Sequence, residues 1–185
     1  VEQGLSERPR IGRLRAALVV ALALGAALFL WLADGSGGSK PPAATAQPRV
    51  LTASALRSLA GAGATPIYWA GPQPGARLEL STEPGGRAYL RYLTAGAGTG
   101  APSADFLTIG TYPVPDPVAA LRRLARPAGA TLRRAPHGDL ALIDPGRPTS
   151  VYLAHPGSAY EVEVYDPSPR RALAVALSGA VVPAG

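Results

Sequence analysis

The run from Ala16 to Ala33 reads AALVVALALGAALFLWLA, an uninterrupted apolar stretch of 18 residues. A helix packed in a water-soluble domain keeps polar residues on one face, and this run has none. Coiled as a helix at about 1.5 Å per residue it extends roughly 27 Å, enough to cross a hydrocarbon core of about 30 Å with slight thinning. The sequence therefore predicts a transmembrane helix over 16–33, with the lipid bilayer as its partner and Trp31 near one interface.

Arginine placement sets the expected orientation. Arg8, Arg10, Arg13 and Arg15 lie just before the run, whereas Asp34-Gly35-Ser36-Gly37-Gly38 follows it. Positive residues stay on the cytoplasmic side, so residues 1–15 are expected inside and the remainder outside, in a single-pass plasma-membrane protein. The competing reading is a cleaved signal peptide ending near Ala44-Thr45-Ala46. That site lies far beyond the apolar run, and the run exceeds a usual signal core, which favours an uncleaved anchor. Both readings export the rest of the chain.

Residues 34–49 form a Gly/Ser/Pro linker, and residues 50–185 are expected to make one extracytoplasmic α+β domain. There is no cysteine, which removes disulfides, thiolate metal sites and cysteine nucleophiles. Four arginines against Glu2 and Glu7 give the tail +2, and Lys40 and Arg49 against Asp34 give the linker +1, so only +3 of the net +6 falls on the domain. That is too diffuse for a nucleic-acid partner. The preference for arginine over lysine matches GC-rich codon usage as well as phosphate recognition.

Period-two alternation predicts strands at 66–71, 76–82, 87–93, 106–112, 130–133, 139–144, 149–154 and 160–165. Helices are expected over 54–60, over 116–126 with Asp116 as cap and Pro117 first, and from Ser168 to about Ser178. The Gly/Ala-rich stretch 95–104 reads as a mobile loop. A shift of 84 residues lays Thr65-Pro-Ile-Tyr-Trp-Ala-Gly-Pro72 over Thr149-Ser-Val-Tyr-Leu-Ala-His-Pro156. The expected fold is thus a single N-terminal transmembrane helix plus a small α+β domain, its sheet mostly antiparallel with two related β-hairpins and two to three helices.

No catalytic signature is present: no nucleophile elbow, and no glycine-rich phosphate loop joining a strand to a helix. Gly96-Ala-Gly98-Thr-Gly100 lacks the lysine and helix that phosphate binding needs. The residues marked out as a ligand or partner surface are Tyr68, Tyr152, His155, Glu161 and Glu163. Tyr68 and Tyr152 share a strand face in the proposed repeat, and His155 ends one copy with a near-neutral pKa type. Glu161 and Glu163 point to one side of a strand, as paired carboxylates or as its wet face. Asp139, Asp144 and Asp166 read as turn residues. No cofactor or metal is implied. The function expected is non-catalytic binding of an envelope protein or polymer, with a hydrolase-like enzyme or an accessory subunit of a signalling complex as alternatives.

Overall fold

A computed structural model describes residues 47–126 and 129–185, so the predicted transmembrane helix over 16–33, the tail and most of the linker lie outside the described residues. No helix among the described residues is long and apolar enough to cross a membrane. The elements in chain order are β1 (Arg49–Leu51), α1 (Ala53–Ala62), β2 (Tyr68–Trp69), β3 (Arg77–Glu83), β4 (Arg87–Leu93), β5 (Thr108–Pro113), α2 (Pro117–Leu124), β6 (Thr131–Arg134), a 3-10 turn (Pro136–Gly138), β7 (Leu140–Ile143), β8 (Ser150–Ala154), β9 (Tyr160–Tyr165), α3 (Pro169–Leu177) and β10 (Val182–Pro183).

Local chemistry explains the helix starts. Thr52 caps α1 by accepting from the Ala55 N–H, which starts that helix one residue before its expected position. Asp116 accepts from the Ala119 N–H at 2.9 Å, and Pro117 takes the first position of α2, as the sequence predicts. Ser168 precedes α3 but its hydroxyl makes no cap bond. Its own N–H instead donates to Asp166 Oδ1 at 2.9 Å.

Eight strands form one antiparallel sheet in the order β1-β3-β4-β5-β9-β8-β7-β6, while β2 and β10 pair separately. Strand register sorts the side chains cleanly. Leu80, Leu90, Ile109, Val164, Val151 and Ile143 are successive cross-strand neighbours on one face. That face forms the main core with Leu56 of α1 and Ala172 and Ala176 of α3. Fully burying such an aliphatic side chain contributes about 1.5–3 kcal/mol. The opposite face carries α2, which contacts β7 and β8 and buries Ala120 and Leu121 outside the main core.

The hairpin expected over 149–165 forms, as β8 and β9. Its expected partner over 66–82 does not: β2 pairs with β10 at the chain's end, through Trp69 and Val182, rather than with β3. The 84-residue similarity therefore does not correspond to a shared hairpin. The correspondence in pairing lies elsewhere. The sheet divides into β1-β3-β4-β5 followed by α2 and β6-β7-β8-β9 followed by α3. Carrying Leu90 onto Leu153 and Ile109 onto Val162 carries the pair Tyr89 and Gly110 onto Tyr152 and Glu163. The same map takes Ser81 and Tyr89 onto Leu142 and Tyr152. The two halves meet at β5 and β9, in a run from Thr108 opposite Tyr165 to Pro113 opposite Tyr160.

Gly110 sits at this junction, on the face away from the main core. A Cβ there would stand 2.6 Å from the Tyr112 hydroxyl oxygen and 2.9 Å from two ring carbons. The Tyr112 ring cannot yield freely, because its hydroxyl is bonded to Glu163 and its edge meets Tyr89 at 5.8 Å between centroids. Gly110→Ala is expected to destabilise the domain by about 1–3 kcal/mol, the range for overpacking a filled site. Urea denaturation checks this through a lower midpoint at unchanged slope.

Candidate functional site

The sheet divides the five sequence-derived candidates. Tyr68 and His155 come together on the main-core side, stacked with ring centroids 4.6 Å apart. Tyr152, Glu161 and Glu163 lie on the opposite face, so Tyr68 and Tyr152 do not share a surface. The notion of a shared face rested on pairing β2 with β3, which does not occur.

His155 meets one carboxylate. The register that sets Leu140 opposite Ala154 brings the flanking residues Asp139 and His155 side by side, with Nδ1 2.9 Å from Asp139 Oδ1. Asp139, expected to serve a turn, is thus the partner that sequence spacing alone did not offer to His155. Burial lowers the His155 pKa and raises that of Asp139, each against their mutual attraction. Both groups are therefore pushed toward their neutral forms. The Ser158 and Tyr68 hydroxyls stand 3.3 Å apart, while the buried His155 Nε2 makes no hydrogen bond among the described residues. His137 turns through a left-handed backbone (φ 64°) and sets its Nε2 3.1 Å from the Gly179 carbonyl oxygen.

On the other face, Glu163 accepts from the Tyr112 hydroxyl at 2.8 Å and from the Ser150 hydroxyl at 2.7 Å. Arg147 donates to the Tyr152 hydroxyl at 3.3 Å. Glu161 is 2% exposed, and its enclosed Oε2 makes no hydrogen bond among the described residues. Burial, reinforced by the Glu163 charge, pushes its pKa up to about 8. The solvated strand face expected here is closed, because α2 and the tyrosines cover this side of the sheet. Asp144 behaves as expected, its Oδ1 accepting from the Gly146 N–H at 2.8 Å.

The Gly/Ala-rich loop is tied back to the sheet. Buried Glu79 accepts from Arg91 at 2.9 Å and from the Gly100 N–H at 2.5 Å. Arg91 also donates to the Ala101 carbonyl at 2.7 Å, and Arg77 donates to that of Ala97. These contacts account for Glu79 as a structural carboxylate rather than a ligand group.

A cavity of about 250 Å³ opens at the end of the sheet away from His155, and none of its lining was singled out by the sequence. Gln73 from the β2–β3 connection, Tyr92 and Thr94 from the end of β4, Asp105 and Phe106 before β5, and Arg171 of α3 converge there. The wall is fixed on one side by the Ala70 peptide group. Its N–H donates to the Tyr92 hydroxyl at 2.7 Å, and its carbonyl accepts from Gln73 Nε2 at 2.9 Å. Arg171 Nε lies 3.4 Å from Asp166 Oδ2, and its side chain is half exposed. The first turn of α3 holds Arg170 and Arg171 and no acidic residue. Cations at a helix's positive end are disfavoured by roughly 0.3–1 kcal/mol, so the placement runs against local preference. Among the described residues no group of three or more His, Asp and Glu side chains is arranged to hold a metal ion.

Comparison with protein-family models, curated proteins and solved structures finds no match.

The buried Glu161 carboxyl generates a pH dependence. Its folded pKa lies above its unfolded value, so the native state holds more protons between about pH 4.5 and 8. Stability from this group is complete below that window and is lost as pH rises through it. Glu161→Gln is expected to flatten this loss and to gain on the wild type by a few kcal/mol toward pH 8. Thermal unfolding across pH 5–9 checks it: the melting-temperature difference should widen with pH in favour of the variant.

Proposed function

We propose that the chain is a non-catalytic binding module of the cell envelope, held on the outer side of the plasma membrane by residues 16–33. The carrying observation is the division of its reactive side chains by the sheet. The carboxylate beside His155 is Asp139, with the Tyr68 ring stacked on the imidazole, while Glu161 and Glu163 stand on the far face. Nucleophilic catalysis of the triad type requires nucleophile, base and orienting group within hydrogen-bond reach of one another, and paired acid–base catalysis requires both groups on one side of the sheet. The end cavity, with charged and aromatic side chains converging on about 250 Å³, has the make-up of a small-ligand site instead.

The tether rests on the apolar stretch and the arginines that precede it. Residues 34–49 serve as the spacer between anchor and domain. The Gly/Ser half of that spacer gives the domain freedom to reorient above the bilayer. A hydrolase reading would need a nucleophile at His155 Nε2, and that atom has no hydrogen-bond partner among the described residues.

Single cysteines test the tether without interference, since the chain has no native thiol. In intact cells an impermeant maleimide should label Ser58→Cys, on the exposed face of α1, and should leave Ser6→Cys unlabelled until the cells are opened. Labelling in the reverse pattern contradicts the topology. A photo-cross-linking residue at the exposed rim position Thr94 should then capture an envelope component, while the same group at Ser58 should not. Equal capture at both positions, or none at Thr94, contradicts the binding role of the cavity.

A further inference from the structure

The geometry points to the cavity between the end of β4 and the start of α3 as a site for a small zwitterion of α-amino-acid size, with its carboxylate on Arg171 and its ammonium toward Asp105. The inference rests on the proposed binding role and names the ligand class for that same cavity. A volume of about 250 Å³ suits a group of amino-acid size, free or carried at the end of an envelope component, rather than a nucleotide.

Arg171 supplies the carboxylate partner. Its Nε is turned toward Asp166 at 3.4 Å, and its side chain is half exposed. A guanidinium presents a planar fork of donors matched to a carboxylate. Arg170 and Arg171 stand together in the first turn of α3, which holds no acidic residue, and Asp166 just before the helix meets one of them. Placing cations there costs stability, which Asp166 offsets in part and a carboxylate arriving at Arg171 would offset further.

Asp105 sets the other end. It lines the same cavity and has partners within the protein, yet a carboxylate has room for several donors at once. Its presence disfavours a dianion such as a phosphate ester and favours a ligand carrying its own cation. Phe106 and Tyr92 supply aromatic wall to the same cavity, and the Arg91 guanidinium stands 5.0 Å from the Phe106 ring centroid. Gln73, anchored to Ala70, leaves its side-chain oxygen to accept from the ligand.

Titration calorimetry on the full chain in detergent micelles tests this, using L-phenylalanine, L-phenylalaninamide and 3-phenylpropionate as probes. The amide lacks the carboxylate and the propionate lacks the ammonium, so each is expected to bind at least about tenfold more weakly than phenylalanine. Arg171→Gln should weaken phenylalanine by about tenfold or more and erase its advantage over the amide. Asp105→Asn should erase its advantage over the propionate. Arg170→Gln, which lies off the cavity wall, should leave all three affinities unchanged, and melting temperatures confirm that each variant is folded.

Several outcomes overturn the inference: the amide binding as tightly as phenylalanine, Arg171→Gln without effect, or no phenylalanine binding up to about 10 mM. Equal weakening by Arg170→Gln and Arg171→Gln also overturns it, since diffuse helix-end charge would then explain the binding. These failures remove the ligand class alone. The broader binding role falls separately, on the cross-linking result at Thr94.

Discussion

Everything else in the domain depends on the pairing of β5 with β9. It is the seam along which two four-stranded halves become one sheet, from Thr108 opposite Tyr165 to Pro113 opposite Tyr160. Ile109 and Val164 face each other across it and close the main core. A strand in the middle of a sheet has no free edge, and here residues on both of its faces, Val164 and Glu161 among them, are buried. On the core side β2 packs against β5 and α3 against β9, while on the other side of the sheet α2 packs against β7 and β8. A slip of one residue at the seam would turn Val162 and Val164 to the wrong side and bring Glu161 and Glu163 into the core.

That constraint explains the polar residues buried beside the seam. Side chains alternate, so Glu161 and Glu163 must lie on the face opposite the valines, and α2 and the tyrosines cover that face. Glu163 is satisfied by Tyr112 and Ser150. Glu161 is not, and burial keeps it neutral through most of the physiological range. The same partition keeps His155 and Asp139 away from the carboxylates that might have joined them. What remains for binding is the end of the sheet, where the connections around Gln73 and Asp105 and the start of α3 leave a cavity.

Much of the fold was legible in the sequence. Arg87–Leu93 and Tyr160–Tyr165 alternate strictly, and the structure has strands at those bounds. Asp116-Pro117 announced α2 through a cap and a first-turn proline, both local effects. The partner of β2 was not legible, because Trp69 pairs with Val182 far along the chain. The similarity at a shift of 84 misled for a related reason: matching Tyr and Pro positions say nothing about which strand hydrogen-bonds to which. The true correspondence, Tyr89 with Tyr152, shows only in the register.

The site was less legible than the fold. Asp139 and His155 become neighbours only once β7 is set against β8, and Glu161 is buried only once α2 lands on β7 and β8. The cavity is built from connections, whose course no periodicity predicts. The eight strands act as one continuous partition closed at the β5–β9 seam. Amide hydrogen exchange on the full chain tests it most directly. The account predicts that β5 and β9 exchange slowest and that β4 and β8 open with them, at the free energy of global unfolding. Exchange of β6, β7 and β8 at a markedly different free energy from β3, β4 and β5 would contradict it, by showing two halves that open independently.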